Sequence, residues 1–168
     1  HMRKRRNLNP DDPRLWYVVG NYARSGTPRR NLKRGSLGRK YEGVLISYPD
    51  GPEYPRAKEI SSAIIRSSIA ARSGKQVHAF YSGIEIAEFL IQFGEKTRGR
   101  LLPSSILSLS PELLKAFVSG YRRAEWPSAD DGKDELFRIV SVNSSLILMM
   151  LHIIEKAYGT VPLVHTTR

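Results

Sequence analysis

Leu15-Trp16-Tyr17-Val18-Val19-Gly20-Asn21-Tyr22-Ala23-Arg24-Ser25-Gly26 and Ala116-Phe117-Val118-Ser119-Gly120-Tyr121-Arg122-Arg123-Ala124-Glu125-Trp126 are two apolar runs whose glycines, Gly20 and Gly120, stand one hundred residues apart. Each reads as a helix with a glycine in its interior. Such a glycine costs roughly 1 kcal/mol relative to alanine unless another backbone must come close. Two of them in matching contexts predict two helices that cross at their glycines; a pair of ordinary buried helices is the other reading of this spacing. Asp12-Pro13 and Ser110-Pro111 precede the two runs, and each sets a capping side chain before a proline at the first helical position. The likeness is therefore structural as well as compositional.

The chain has 168 residues and is 40% hydrophobic, enough for one sizeable core or for two small related units that share an interface. Its formal net charge is +11, and the first forty residues hold twelve Lys and Arg against two Asp, so that ten of those charges lie before Tyr41. A localised basic surface of this kind meets phosphate, on nucleic acid or on an anionic membrane. Nucleic acid is favoured. No apolar stretch reaches the length that crosses a bilayer, and the most apolar segment, Leu146–Ile154, is not attached to the basic run. Cysteine is absent, which excludes disulfides and thiolate metal sites and leaves the redox compartment open. His78, His152 and His165 lie on different elements without the spacing of a zinc site.

Outward from the first glycine helix (about Pro13 to Arg24), Gly26–Lys40 reads as a mobile basic loop or the turn of a hairpin, with Arg29-Arg30 and Lys33-Arg34 in it. Tyr41–Tyr48 reads as a strand ended by Pro49-Asp50-Gly51-Pro52, and Ala57–Ile69 as a helix with Ile60, Ala63, Ile64 and Ile69 in period. A strand over Gln76–Tyr81 and a helix over Ile84–Phe93, closed by Gly94, complete the first unit. Arg98–Pro103 links to a short helical turn. The second unit starts at Ser110 and runs through its glycine helix, an acidic loop (Ser128–Asp134), a strand (Leu136–Val142), a helix (Ser144–Tyr158) and a terminal strand (Val161–His165). It repeats the first in outline and is shorter. His1-Met2 reads as a tag remnant, and Arg3-Lys4-Arg5-Arg6 as a solvated basic tail or an arm that grips phosphate.

Several stretches together resemble the LAGLIDADG family, and within it the homing endonuclease domain embedded in inteins. They are the two glycine helices, Ser82-Gly83-Ile84-Glu85-Ile86-Ala87-Glu88-Phe89-Leu90 ahead of Phe93-Gly94, Leu101-Leu102-Pro103-Ser104-Ser105-Ile106-Leu107 leading into Leu113–Gly120, and Arg138-Ile139-Val140-Ser141-Val142-Asn143-Ser144-Ser145. The resemblance implies an α+β fold with a pseudo-two-fold repeat, two motif helices at the centre and saddle-shaped antiparallel sheets that straddle the major groove of double-stranded DNA. In these terms residues 1–8 are tag and tail, 9–98 the first half, 99–109 the linker and 110–168 a shorter second half of a monomeric pseudo-dimer. The family also implies a flanking intein splicing domain as partner and an intracellular setting, nuclear or cytoplasmic according to the host protein. This chain alone is not expected to splice.

Catalysis in the family uses an acid at the lower end of each motif helix, and the two carboxylates hold Mg²⁺ at the scissile phosphates. Alignment on the glycines puts Ser25 and Glu125 there. Glu125 can serve as the catalytic and metal-binding acid, but a neutral serine hydroxyl supplies neither the charge nor the strong ligand a hard cation needs. Arg100 stands where the family has a lysine before the linker proline, and arginine does not release its proton. Arg24, Arg122 and Arg123 crowd the helix ends, a reversal of local charge that favours binding without cutting. Asp11, Asp12, Asp130, Asp131 and Asp134 fit caps and solvated loops better than substitute metal ligands. Trp16, Tyr17 and Phe117 fit the core.

Arg24, Arg29, Arg30, Lys33, Arg34, Arg39, Lys40 and Tyr41 are then the candidate DNA contacts, with Tyr41 and Tyr48 open between the DNA face and burial. The reading expected from the resemblance is a DNA-binding, endonuclease-like domain with impaired or absent cleavage. A weak metal-dependent nickase using Glu125, a maturase-like RNA-binding module and a purely structural insert are the alternatives.

Overall fold

The computed structural model describes residues 8–31, 41–94, 101–122, 143–161 and 164. Asp12, in an extended conformation, accepts the Arg14 N–H on its carboxylate at 2.9 Å and so starts α1 (Pro13–Ser25) on its proline. The Arg14 guanidinium closes on the same carboxylate at 2.7 Å. That side-chain hydrogen bond, helped by the Arg14 backbone N–H and charge and opposed by partial burial, holds the Asp12 carboxyl below its ordinary value. A depressed carboxyl gives stability that is complete above the unfolded value and is lost as pH falls through the folded one. Asp12→Ala will therefore cost about 1 kcal/mol at neutral pH, and the gap to the parent will close below about pH 4, as thermal melts across pH will read. A gap that stays constant through the acid range would exclude the charged cap as its cause.

Every residue of α1 from Leu15 to Ala23 is buried, the condition of a helix with packed elements on all sides. One neighbour is α4 (Pro111–Arg122), capped by Ser110, whose Oγ accepts the Leu113 N–H. The two helices cross at their glycines, as the sequence predicts. A Cβ on Gly20 would stand 2.2 Å from the Phe117 carbonyl oxygen, and one on Gly120 would stand 2.0 Å from that of Tyr17. Backbone fills the space that any side chain would need. Trp16, Tyr17 and Phe117 all lie in the core, Tyr17 and Phe117 at this crossing and Trp16 against the rings of Phe89 and Phe93.

At Ser25 the helix passes directly into β1 (Gly26–Arg30), so the first five residues of the basic segment form the arm of a hairpin rather than a loop. β1 pairs with β2 (Tyr41–Pro49), β2 with β4 (Gln76–Ser82) and β4 with β3 (Ser67–Ser73), all antiparallel, in the order β1-β2-β4-β3. Val44, Ile46 and Tyr48 on β2 and Val77, Ala79 and Tyr81 on β4 form the inner face. They alternate as a half-buried sheet requires. Helix α3 (Ile84–Ile91) packs against β2 and sends Ile86, Ala87 and Leu90 into the core. Gly94 closes the segment after it with φ 99°, and its carbonyl accepts the Tyr22 hydroxyl at 2.7 Å.

The predicted helix over Ala57–Ile69 is corrected. Helix α2 spans Glu53–Ser62, and Ser67–Ser73 is the edge strand β3. Ile60 and Ile64 still pack against the core, but Ile69 stands 47% exposed on the strand. Serines at 67 and 68 compete with a helical backbone, whereas pairing with β4 satisfies these residues' amides in a ladder. The Ser73-Gly74-Lys75-Gln76 turn, with Gly74 at φ 56°, is the two-residue hairpin that brings β3 back along β4.

After the first sheet, Ser104–Ser108 forms one 3-10 turn, which leads to α4. Helix α5 (Ser144–Tyr158) has the predicted bounds. Asn143 caps its start by accepting the Leu146 N–H at 3.2 Å, and Gly159 ends it in the left-handed conformation. Lys156 donates to the Leu107 carbonyl and ties α5 to the 3-10 turn. The result is an α+β architecture of five helices and one four-stranded antiparallel sheet among the described residues. The acidic loop at 128–134 and the strand at 136–142 lie outside those residues. Of the expected terminal strand, Val161 and Val164 are described and neither is in a strand.

Candidate nucleic-acid interface

Among the described residues the sheet packs helices on one face only, so alternate residues of its strands face away from the core. Leu45 stands opposite Phe80, and Ser47 opposite His78, across β2 and β4; Thr27 flanks Leu45 from β1 and Ser68 flanks Phe80 from β3. The centre of this open face is thus apolar, with Leu45 and Phe80 half-buried. Beside it the Ser47 hydroxyl and His78 Nδ1 lie 2.8 Å apart. Cations stand at both edges. Exposed Arg29 and Arg30 occupy β1, while Arg66, Arg72 and Lys75 surround β3, with Arg72 paired to Asp50 at 3.4 Å.

A single extra residue shapes the β1 end of this face. Arg29 pairs with Gly43 but Arg30 pairs with Tyr41, so Glu42 has no partner across the ladder and β2 bulges there. A bulge reverses the alternation beyond it, which has two effects. Tyr41, which would otherwise share the open face with Leu45, turns into the core at 7% exposure. Glu42 instead meets Arg29, Oε1 to Nε at 2.7 Å. The candidate DNA contact at Tyr41 is therefore corrected to a core residue, and Tyr48 is buried as well.

Gly43 completes the arrangement. A Cβ there would stand 2.6 Å from Cε2 of Phe80 and 2.3 Å from the Tyr81 carbonyl oxygen, so only glycine lets the Phe80 ring lie across β2. The Arg29 guanidinium rests 5.1 Å from the centre of that ring, within the range of a cation–π contact.

At the lower end of the helix crossing, Arg24 reaches over to α4 and donates to the carbonyls of Tyr121 and Arg122, each at 3.3 Å. The last carbonyls of a helix carry its negative end and attract such a cation. Next to it the Ser25 hydroxyl donates to the Ser47 carbonyl at 2.7 Å, which ties the helix end to β2. A guanidinium and a neutral hydroxyl in this position do not fit Mg²⁺, which takes hard, charged oxygen ligands. No three His, Asp or Glu side chains converge among the described residues. Glu125, Arg100, Lys33, Arg34, Arg39 and Lys40 lie outside them, so of the candidate contacts the structure brings Arg29 to the open face and Arg24 to the helix seam, while Arg30, paired with Tyr41, is exposed on β1 with the opposite parity.

Phe80, Glu42 and the Ser47–His78 pair escape a reading of the sequence alone. Phe80 sits in a run, Val77 to Tyr81, whose apolar residues are not strictly alternate, and only the register assigns it to the outer face. Compared with known proteins, the chain matches no family model and no curated protein. Among the described residues no helix is long and apolar enough to cross a membrane.

Proposed function

We propose that the protein is a LAGLIDADG endonuclease-like domain, of the kind carried by inteins, that grips double-stranded DNA on its open sheet and has lost or nearly lost cleavage. The observation that carries this reading is the seam itself: two capped helices, one hundred residues apart in sequence, pressed together at Gly20 and Gly120. A sheet that continues from the lower end of the first helix, open on one face and edged with arginine, supports it further. The two halves of such a pseudo-dimer meet at α1 and α4. An apolar centre suits base edges and thymine methyl groups, and rim cations suit the phosphates on either side.

Loss of cutting follows from Ser25 and Arg24. With a hydroxyl already donating to Ser47 and a guanidinium on the α4 carbonyls, the first acidic ligand has no counterpart at the end of α1. Incubation of a duplex library with Mg²⁺ or Mn²⁺, paired with electrophoretic binding of the same library, tests this directly. The expected result is binding without cleavage, unaltered by Glu125→Gln. Cutting or nicking that disappears in Glu125→Gln would establish a surviving active site, preference for structured RNA over duplex would favour a maturase-like module, and no salt-sensitive binding to either would leave a structural insert.

A further inference from the structure

Arg29 stands on the β1 edge of the sheet with the parity of the open face, and it already holds an anion. Its contact with Glu42 exists only because β2 carries one residue more than β1 requires at this point. Both side chains remain open to solvent, with Arg29 49% and Glu42 35% exposed. An ion pair of that exposure is worth about 0–1 kcal/mol, too little to explain a bulge as a device for holding the hairpin together. The Phe80 ring, seated over Gly43, keeps the guanidinium above the face by a contact that does not involve the carboxylate.

We infer that Glu42 is a displaceable counter-anion for Arg29, which a backbone phosphate must replace when nucleic acid settles on the open face. A guanidinium accepts carboxylate and phosphate in the same fork geometry, so one can substitute for the other without moving the arginine. Phe80 preserves the position of Arg29 during the exchange. The carboxylate lowers affinity for every polyanion at this point, and a phosphate wins only when other cations of the face hold the same strand. Isolated or weakly held anions are rejected. This inference rests on the reading that the sheet face meets nucleic acid.

The test compares Glu42→Gln with Glu88→Gln, which removes an equal charge from an exposed position on α3, by duplex DNA binding at about 0.1 M salt and by the salt needed to elute each protein from immobilised heparin. Glu42→Gln is expected to bind duplex about two- to fivefold more tightly than Glu88→Gln and to leave heparin at higher salt. In an Arg29→Ala background the advantage should vanish, with melting curves confirming that all four proteins are folded. Equal behaviour of the two glutamine variants on both ligands would overturn the inference, as would an advantage that persists without Arg29. A heparin shift that depends on Arg29, with no duplex binding by any variant, would overturn the DNA reading and leave the anion exchange standing.

Discussion

Gly120→Ala will destabilise the protein by about 3 kcal/mol, at the upper end of the cost of overpacking, and lower its melting temperature by roughly 6–12 °C. The sign is the informative part. Helix propensity alone predicts the opposite, a gain of about 1 kcal/mol on replacing an interior glycine with alanine. The new methyl group would stand 2.0 Å from the Tyr17 carbonyl oxygen and 2.9 Å from its Cα, and backbone atoms cannot rotate aside as a side chain can. The helices must separate, and with them the layers that cover α1 on every side. Gly20→Ala meets Phe117 and Tyr121 backbone at 2.2 and 2.5 Å and should behave alike, the double variant losing less than the sum because both methyl groups open the same seam. Ser119→Ala, one residue away on a half-buried face, supplies the control in which propensity does prevail. A neutral or stabilising Gly120→Ala would mean that the helices do not touch at their glycines.

On the proposal that the protein grips duplex DNA, replacing Arg29, Arg30, Lys33 and Arg34 together with alanine will weaken that binding by on the order of 10²–10³-fold near 0.1 M salt. Each phosphate neutralised adds about 0.9 to the slope of log affinity against log salt, so the four-site variant should also lose roughly 3–4 units of slope. The salt dependence separates a lost contact surface from a damaged fold: a partly unfolded protein binds less at every salt concentration with its slope unchanged. Arg29 and Arg30 both stand exposed on β1, so their removal takes no buried side chain out of the sheet. Unchanged affinity and slope would sink these four residues as the proposed DNA contact.

The parts of this architecture that were legible in the sequence are those governed by local chemistry. Asp12-Pro13, Ser110-Pro111 and Asn143 announce their helices because a cap is a short-range hydrogen bond, and Gly94 and Gly159 mark helix ends through the backbone angles they permit. The crossing at Gly20 and Gly120 was legible because two interior glycines in similar runs demand a common explanation. What stayed hidden depends on partners distant in the chain. The serines at 67 and 68 weaken a helix but do not by themselves mark a strand; pairing with β4 decides the matter. Tyr41 and Leu45 share a parity in the sequence, and one slipped register between Arg29 and Arg30 sends them to opposite faces. The site was legible as a concentration of charge, but the clamp of Glu42 on Arg29 follows from that same slip. Ser25 shows the reverse case, since its chemistry alone argues against a metal ligand and its bond to Ser47 adds only where the hydroxyl is spent.

The helix seam also bears on how the protein comes into being. The bonds from Arg24 to Tyr121 and Arg122 join residues 97 and 98 positions apart, and closing a loop of about 100 residues costs roughly 4 kcal/mol beyond a constant. During synthesis at about 5–20 residues per second, α1 leaves the ribosome some 5–20 s before the surface that will cover Gly20. Throughout that interval nine consecutive residues destined for the interior, Leu15 to Ala23, have the nascent sheet and the helices α2 and α3 to lie against, but not the partner that covers Gly20. The seam at the centre of this molecule can close only after the whole of the sheet beside it has been made.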